Sequence, residues 1–389
     1  MQQRLLTELG QELSVLRSKD LYRSTSVVSS KKNRGRSNGL LDFSSNDYLG
    51  LSTHPTVSRR AAEAALRWGG GSGASRLISG SLKIHEDLEK KIATFKKEEA
   101  ATIFSSGYLA NLGVVTSLVN EKDIVFIDRL NHASLIDAAR LSRAKLQVYP
   151  HRDAEALAVL LKRAKNFRRK LVVTDAYFSM DGHVAPLDKL LEVCEKNEAT
   201  LMIDEAHSTG VFGKNGRGLT EHFSLSGKIP VVMGTLSKAL GSVGGYIAGS
   251  SVLKETLVNT CRPFIFTTAP APAASAAALA AIEMIEEDKK ILQNLWENIH
   301  WIRERLETLG FDLMDSEGPV IPVLIGDTAK TLKAREFLKR RRIWAPAIRP
   351  PTVPKNTDRI RLSLSGAHSR QDLERLVNAL VEMRNSWKN

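Results

Sequence analysis

An α/β fold is predicted, with a large domain built on a mainly parallel sheet and a smaller α+β domain at the C-terminal end. Three features of the sequence predict it. From Ala100 to Asp204, short β-branched runs alternate with helical patterns. After Gly310 that rhythm gives way to shorter strands and helices. Between the two, the run Val231-Val232-Met233-Gly234-Thr235 ends just before a lysine, Lys238, with Gly241, Gly244 and Gly245 close behind. Open parallel sheets bind their ligands at the carboxyl ends of strands, which is where this lysine falls.

Taken in order, Leu5, Leu6, Leu9, Leu13 and Leu16 recur at helical spacing and predict an amphipathic helix over residues 1–20. A polar connector rich in Ser, Lys, Arg and Gly follows over 24–39, then a short strand running into a turn over 40–51. Residues 1–50 therefore form an N-terminal helix and connector, ahead of a large domain over 51–290 and a small domain over 291–389. A helix over 55–68 leads into Gly69-Gly70-Gly71-Ser72-Gly73-Ala74-Ser75-Arg76. This loop has the spacing of a dinucleotide fingerprint but follows a helix where the fingerprint needs a strand, so it is read as backbone that approaches a ligand or another subunit closely. Strands over 102–105, 124–128, 146–149, 171–174 and 201–204 then alternate with helices over 108–118, 133–141, 154–164 and 187–197. The alanine-rich segment 269–285 is too weakly apolar and too short to span a membrane and reads as a buried helix. The small domain carries strands over 320–325 and 359–363 and helices over 328–341 and 370–383.

With 42% hydrophobic and 25% charged residues, the 389-residue chain can bury one large core and a smaller one. Cys194 and Cys261 lack partner spacing, which argues against a disulfide framework or a metal site and fits the cytoplasm. Glu8 and Glu12 argue against a secretory leader. The net charge of +13 is spread over short clusters, 162–170 and 340–342, without interleaved stacking aromatics. Nucleic acid is not the expected partner. An acidic ligand or carrier, such as a nucleotide-bearing thioester or an acyl carrier protein, fits the charge better.

The chemistry lies at the strand ends. A lysine crowded among glycines and apolar residues loses water, and a neutral amine attacks a carbonyl. Leu201-Met202-Ile203-Asp204-Glu205-Ala206-His207 contains the DEAH string of helicases, but no G-x-x-x-x-G-K-[ST] loop exists to hold a nucleotide. Pyridoxal phosphate (PLP) fits the inventory instead. It needs a lysine for its aldehyde, an acid at its ring nitrogen and backbone donors for its phosphate, and Lys238, Asp204 and Ser106-Gly107-Tyr108 supply these.

The segments SSNDYLGL, SSGYLAN, DRLNHASL, FSMDG, DEAH and TLSKALG, in this order, resemble the α-oxoamine synthases, PLP-dependent enzymes of the aspartate-aminotransferase fold, fold type I. The resemblance runs from about Leu41 to the C-terminal end. It implies that Lys238 holds the cofactor and acts as general base, that Asp204 keeps the ring nitrogen protonated, and that His207 and Ser179 bond the phenolic oxygen. It implies further that His132 stacks on the ring, that Gly107, Tyr108 and Thr235 support the phosphate, and that Thr267 and Thr268 are lent by the neighbour in a homodimer. Arg361 is expected to grip an amino-acid carboxylate, assisted by Asn46, while Arg359 is expected on the opposite, solvent-facing side of the same strand. Arg23 and Thr352 resemble contacts to an acyl substrate. Asp175-Ala176 departs from the Glu-Gly often found before FSMDG, which bears on the fine tuning of the ring. The strings AIRPPTVP and RIRL resemble the biotin-pathway member, implying decarboxylative condensation of L-alanine with a pimeloyl thioester on coenzyme A or a carrier protein. Glycine with an acetyl or succinyl thioester, as in glycine C-acetyltransferase or 5-aminolevulinate synthase, uses the same residues and stays open, as does a PLP aminotransferase.

Overall fold

The computed structural model describes residues 2–19, 21–23, 25 and 35–387. Most of the expected connector over 24–39 lies outside the described residues. A seven-stranded sheet forms the centre, from β1 (Ala100–Phe104), β2 (Ile124–Asp128), β3 (Lys145–Tyr149), β4 (Lys170–Asp175), β5 (Thr200–Asp204), β6 (Val231–Thr235) and β7 (Gly245–Gly249). Their spatial order is β1-β7-β6-β5-β4-β2-β3. Strands β2 to β6 pair in parallel, and only β7 runs against its neighbours. All residues of β2, β6 and β7 are buried, as expected of strands covered by helices on both faces.

The sequence reading did not name β7, because two of its five residues are glycines and its apolar run is short. Tertiary packing explains the composition. A Cβ on Gly245 would lie 2.6 Å from the Gly107 Cα, so β7 begins where the helix Gly107–Leu118 touches it backbone to backbone.

Three further strands, β8 (Val320–Leu324), β9 (Ala347–Ile348) and β10 (Arg359–Ser363), form an antiparallel sheet in the order β8-β10-β9. Helices Lys290–Thr308, Thr328–Arg340 and Arg370–Asn385 accompany it. The N-terminal segment joins this part of the molecule. Leu40–Asp42 pairs in parallel with Ile343–Trp344, Phe43 N–H donates to Trp344 O at 2.8 Å, and Ser363 N–H donates to Phe43 O at 2.8 Å. The segment 43–48 is thereby stitched against the end of β10.

The helix Gln2–Ser18 forms as its periodicity predicts, but its leucines find no core. Leu5, Leu6, Leu9, Leu13 and Leu16 remain 39 to 68% exposed. The glycine-rich loop 69–76 packs on the segment before the alanine-rich helix Pro272–Glu287: Ser72 donates to Pro270 O at 2.6 Å and Ser75 bridges Thr268.

Candidate active site

Five strand ends converge. Thr235 closes β6 and Lys238 follows; Asp204 closes β5; Asp175 closes β4 as the register partner of Asp204. After β1, Ser106 caps the helix Gly107–Leu118, and beyond β2, His132 caps the helix Ala133–Leu141. These residues line one cavity of about 220 Å³ together with His207, Asn111, Ser134 and Tyr108. His132 sits at its exposed rim, while Asp204, His207 and Thr235 are buried.

The electrostatics follow from burial and four neighbouring charges. Asp204 is fixed by two hydrogen bonds, accepting from Asn111 Nδ2 at 2.8 Å and from the Ala206 N–H at 2.8 Å. Burial, with the charge of Asp204 beside it, raises Asp175 well above the usual carboxylate range, against the His132 N–H that it accepts at 2.7 Å. Loss of water pulls Lys238 down to about 8; Asp204 and Asp175 resist the shift and Arg361 adds to it. Burial, then the charges of Lys238 and Arg361, hold His207 well below its ordinary value, so this imidazole is neutral. Burial also lowers His132, with Lys238 assisting and Asp204 opposing. The second acid of the DEAH string is structural: Glu205 is fully buried, paired with Lys96, and accepts the Thr220 N–H at 2.8 Å.

Beside this cavity, Arg361 is buried and donates from Nε to Ser179 O at 2.6 Å, from Nη1 to Ser363 Oγ at 3.1 Å and from Nη2 to Asn46 Oδ1 at 3.1 Å. Arg361 and Asn46 thus meet as expected. The expectation for Arg359 is overturned. It is only 1% exposed and donates to Asp181 Oδ1 at 2.7 Å, Met180 O at 3.2 Å and Thr357 O at 2.7 Å. A strand has period two, so residues two apart face the same side, and both arginines clamp the strap Ser179–Asp181. Ser179 does not line the cavity; its carbonyl is held by Arg361 at the edge. Thr267 and Thr268 do not line it either. Arg23 donates to Thr352 Oγ1 at 3.2 Å in a separate cavity of about 560 Å³. Among the described residues, four arginines, Arg17, Arg23, Arg335 and Arg349, line that cavity and no carboxylate does. Its wall at β9 pairs with β10, the strand of Arg361.

Three residues of the site were missed in the sequence. Asn111 lies four positions after Gly107, one helical turn along the same face, and a polar residue between Ala110 and Leu112 was the available signal. Ser134, which hydrogen-bonds both Asn111 and His132, had no such signal. Tyr48, whose hydroxyl lies 2.6 Å from His207 Nδ1, sat inside a recognised motif but is 159 residues from its partner.

Among the described residues no cluster of His, Cys, Asp or Glu could hold a metal ion, and no helix is long and apolar enough to cross a membrane. The donor set fits an aromatic cofactor with an aldehyde, a ring nitrogen and a phosphate. Lys238 offers an amine and Asp204 a fixed carboxylate. The first N–H groups of a helix have no partner within it. Ser106 Oγ takes the Leu109 N–H, which leaves those of Gly107 and Tyr108 at the cavity wall for a phosphate. A Cβ at Gly107 would stand 2.8 Å from Met233 Cε, so a larger residue here would have to displace the end of that side chain from the cavity wall.

A mainly parallel sheet with a lysine and an aspartate at neighbouring strand ends defines the fold of the PLP-dependent transferases. The chain belongs to the class I and II aminotransferase family, whose pattern matches residues 38–380. It is 43% identical over 379 residues to the 8-amino-7-oxononanoate synthase of Thermoanaerobacter pseudethanolicus, covering 96% of both chains. The synthase of the same name from Cellvibrio japonicus is 47% identical over 347 residues, covering 89% of this chain and 87% of that one. Among solved structures, a serine palmitoyltransferase from S. paucimobilis with bound PLP and myriocin superposes with a TM-score of 0.91 at 28% identity, covering 97% of each chain.

Proposed function

We propose that this protein is a PLP-dependent acyltransferase that condenses L-alanine with a pimeloyl thioester, releasing carbon dioxide and free thiol and forming 8-amino-7-oxononanoate for biotin synthesis. The observation that carries this reading is the juxtaposition of Lys238 and Asp204 with the buried Arg361–Asn46 pair, in a chain more than 40% identical to 8-amino-7-oxononanoate synthases along nearly its whole length. PLP, when bound, supplies an electron sink for the carbanion chemistry at the amino-acid Cα.

The chain's own residues do the rest. Lys238 would hold the cofactor aldehyde and, as a free amine, would take the Cα proton; an amine near 8 is part-neutral at physiological pH and suited to that transfer. Asp204, held by Asn111 and the Ala206 N–H, keeps a negative charge toward the ring nitrogen. His132 would cover the ring, Gly107, Tyr108 and Thr235 would support its phosphate, and His207 would bond its ring oxygen; Ser179, outside the cavity lining, would share that last role from the strap that Arg361 holds. Arg361 with Asn46 receives the alanine carboxylate in a planar fork, which fixes the direction of the Cα–H bond. Arg23 and Thr352 contact the acyl donor, and the arginine-lined cavity around them suits the anionic groups of a phosphorylated thioester.

The protein works as a homodimer in the cytoplasm. The exposed leucine stripe of Gln2–Ser18, and the absence of Thr267 and Thr268 from the lining of their own chain's cavity, support a site completed by a neighbour. Two buried free cysteines suit a reducing compartment. The test is thiol release and product identity across alanine, glycine and serine, each with pimeloyl, acetyl, succinyl and palmitoyl thioesters. Alanine with the pimeloyl donor is expected to be fastest. Faster release from glycine with an acetyl or succinyl donor would reassign the reaction to a sister activity. A one-methyl choice is worth about 1 to 3 kcal/mol, so slow glycine turnover is expected alongside.

A further inference from the structure

Tyr48 has no part in the chemistry above, yet it is fully buried and in contact with the cavity's one buried imidazole. Its hydroxyl lies 2.6 Å from His207 Nδ1 and 3.4 Å from Asn46 Oδ1. Asn46 Oδ1 already accepts from Arg361 at 3.1 Å and lies 3.5 Å from the Ser363 hydroxyl, which leaves the tyrosine a long and poor bond there. A buried phenol keeps its proton and has to donate it. The close acceptor is the histidine.

A neutral imidazole carries one proton, so a nitrogen that accepts forces the proton onto the other. We propose that Tyr48 is a positioning residue: by donating to Nδ1 it holds His207 in the tautomer protonated on Nε2, and so provides the N–H donor that faces the cofactor's ring oxygen. The last clause rests on the PLP reading of the cavity; the tautomer itself does not. Burial supports the assignment from both sides, pushing Tyr48 up to about 12 and His207 well down, so neither group changes charge near neutrality. Tyr48 also touches both halves of the site, since Asn46 and Arg361 stand on its other side.

Two measurements separate positioning from packing. The first uses cofactor-free protein labelled with nitrogen-15 at histidine, where the imidazole shifts report which nitrogen is protonated. Wild type is expected to show His207 protonated on Nε2, and Tyr48→Phe, which removes only the hydroxyl, is expected to redistribute the proton toward Nδ1. His207 protonated on Nδ1 in the wild type would overturn the proposal even if the variant failed to fold. The second uses the PLP-loaded protein, following the pH at which the cofactor's visible absorbance changes. A donor at the ring oxygen stabilises its negative form, so loss of a fixed donor is expected to raise that midpoint by about one pH unit, a tenfold change in the proton equilibrium. A variant that binds PLP with an unchanged midpoint and an unchanged tautomer makes Tyr48 a packing residue only. Failure of both proteins to bind PLP overturns the cofactor reading while the nitrogen shifts still decide the tautomer.

Discussion

Lys238 is a cation that the fold holds in a place unfavourable to its charge. Its ordinary value of 10.5 falls to about 8 in the folded chain because burial outweighs the attraction of Asp204 and Asp175. The sign of the linked stability follows directly. Below about pH 8 the lysine is charged in both states and the folded state carries the full cost; between about 8 and 10.5 the unfolded chain binds more protons, so stability rises with pH; above that the cost is gone. In cofactor-free protein, Lys238→Met is expected to raise stability at pH 7 by up to about 3 kcal/mol, with the gain shrinking as the pH climbs past 8. Urea denaturation of both proteins at pH 7 and pH 10 checks it. A gain equal at the two pH values would mean that packing of the methionine, not charge, caused it. Arg359 teaches the complementary lesson. A fully buried arginine looks like an error in a sequence scan, yet Asp181 and two backbone carbonyls satisfy its guanidinium, and its removal would leave that carboxylate unpaired.

At the scale of elements, the site depends on how β7 meets the helix Gly107–Leu118. An added Cβ at Gly245 would stand 2.6 Å from Gly107 Cα and 2.8 Å from Gly107 N, and both obstacles are backbone. The helix would have to move, carrying the Gly107 and Tyr108 N–H groups away from the cavity wall where they are proposed to meet the phosphate. Gly245→Ala is therefore expected to cost about 1 to 3 kcal/mol of stability and to weaken PLP binding, readable by thermal melts with and without cofactor. A variant with normal PLP affinity and an unchanged melting temperature would mean that this contact is not tight. The strand β10 acts in the same way on the other side: its two arginines fasten the strap Ser179–Asp181 to the C-terminal sheet, so one element orders both the proposed carboxylate fork of Arg361 and the loop beside it.

For the whole molecule, the unsatisfied feature is the leucine face of Gln2–Ser18. Five leucines along one helix, each at least 39% exposed, form an apolar stripe of the kind that a protein interface covers. Leu9→Glu with Leu13→Glu is expected to shift the protein toward monomer in sedimentation velocity and to lower activity in parallel. A dimer unaffected by both charges would place the interface elsewhere. Legible in the sequence alone were the α/β alternation, the strands β2 to β6, Lys238 and Asp204 as strand-end groups, and the periodicity of the first helix. These are properties of short windows, where side-chain period and strand ends leave a local mark. Which distant residues meet depends on the packing of the folded chain. Asn46 and Arg361 are 315 residues apart and touch because Leu40–Asp42 pairs beside Ile343–Trp344 and Phe43 bonds to Ser363. Tyr48 reaches His207 through the same stitching, whereas Arg359 turns inward because β10 lies beside the strap that carries Asp181. A polar side chain's partner is set by the packing of whole sheets against one another, and nothing in its immediate sequence neighbourhood encodes that distance.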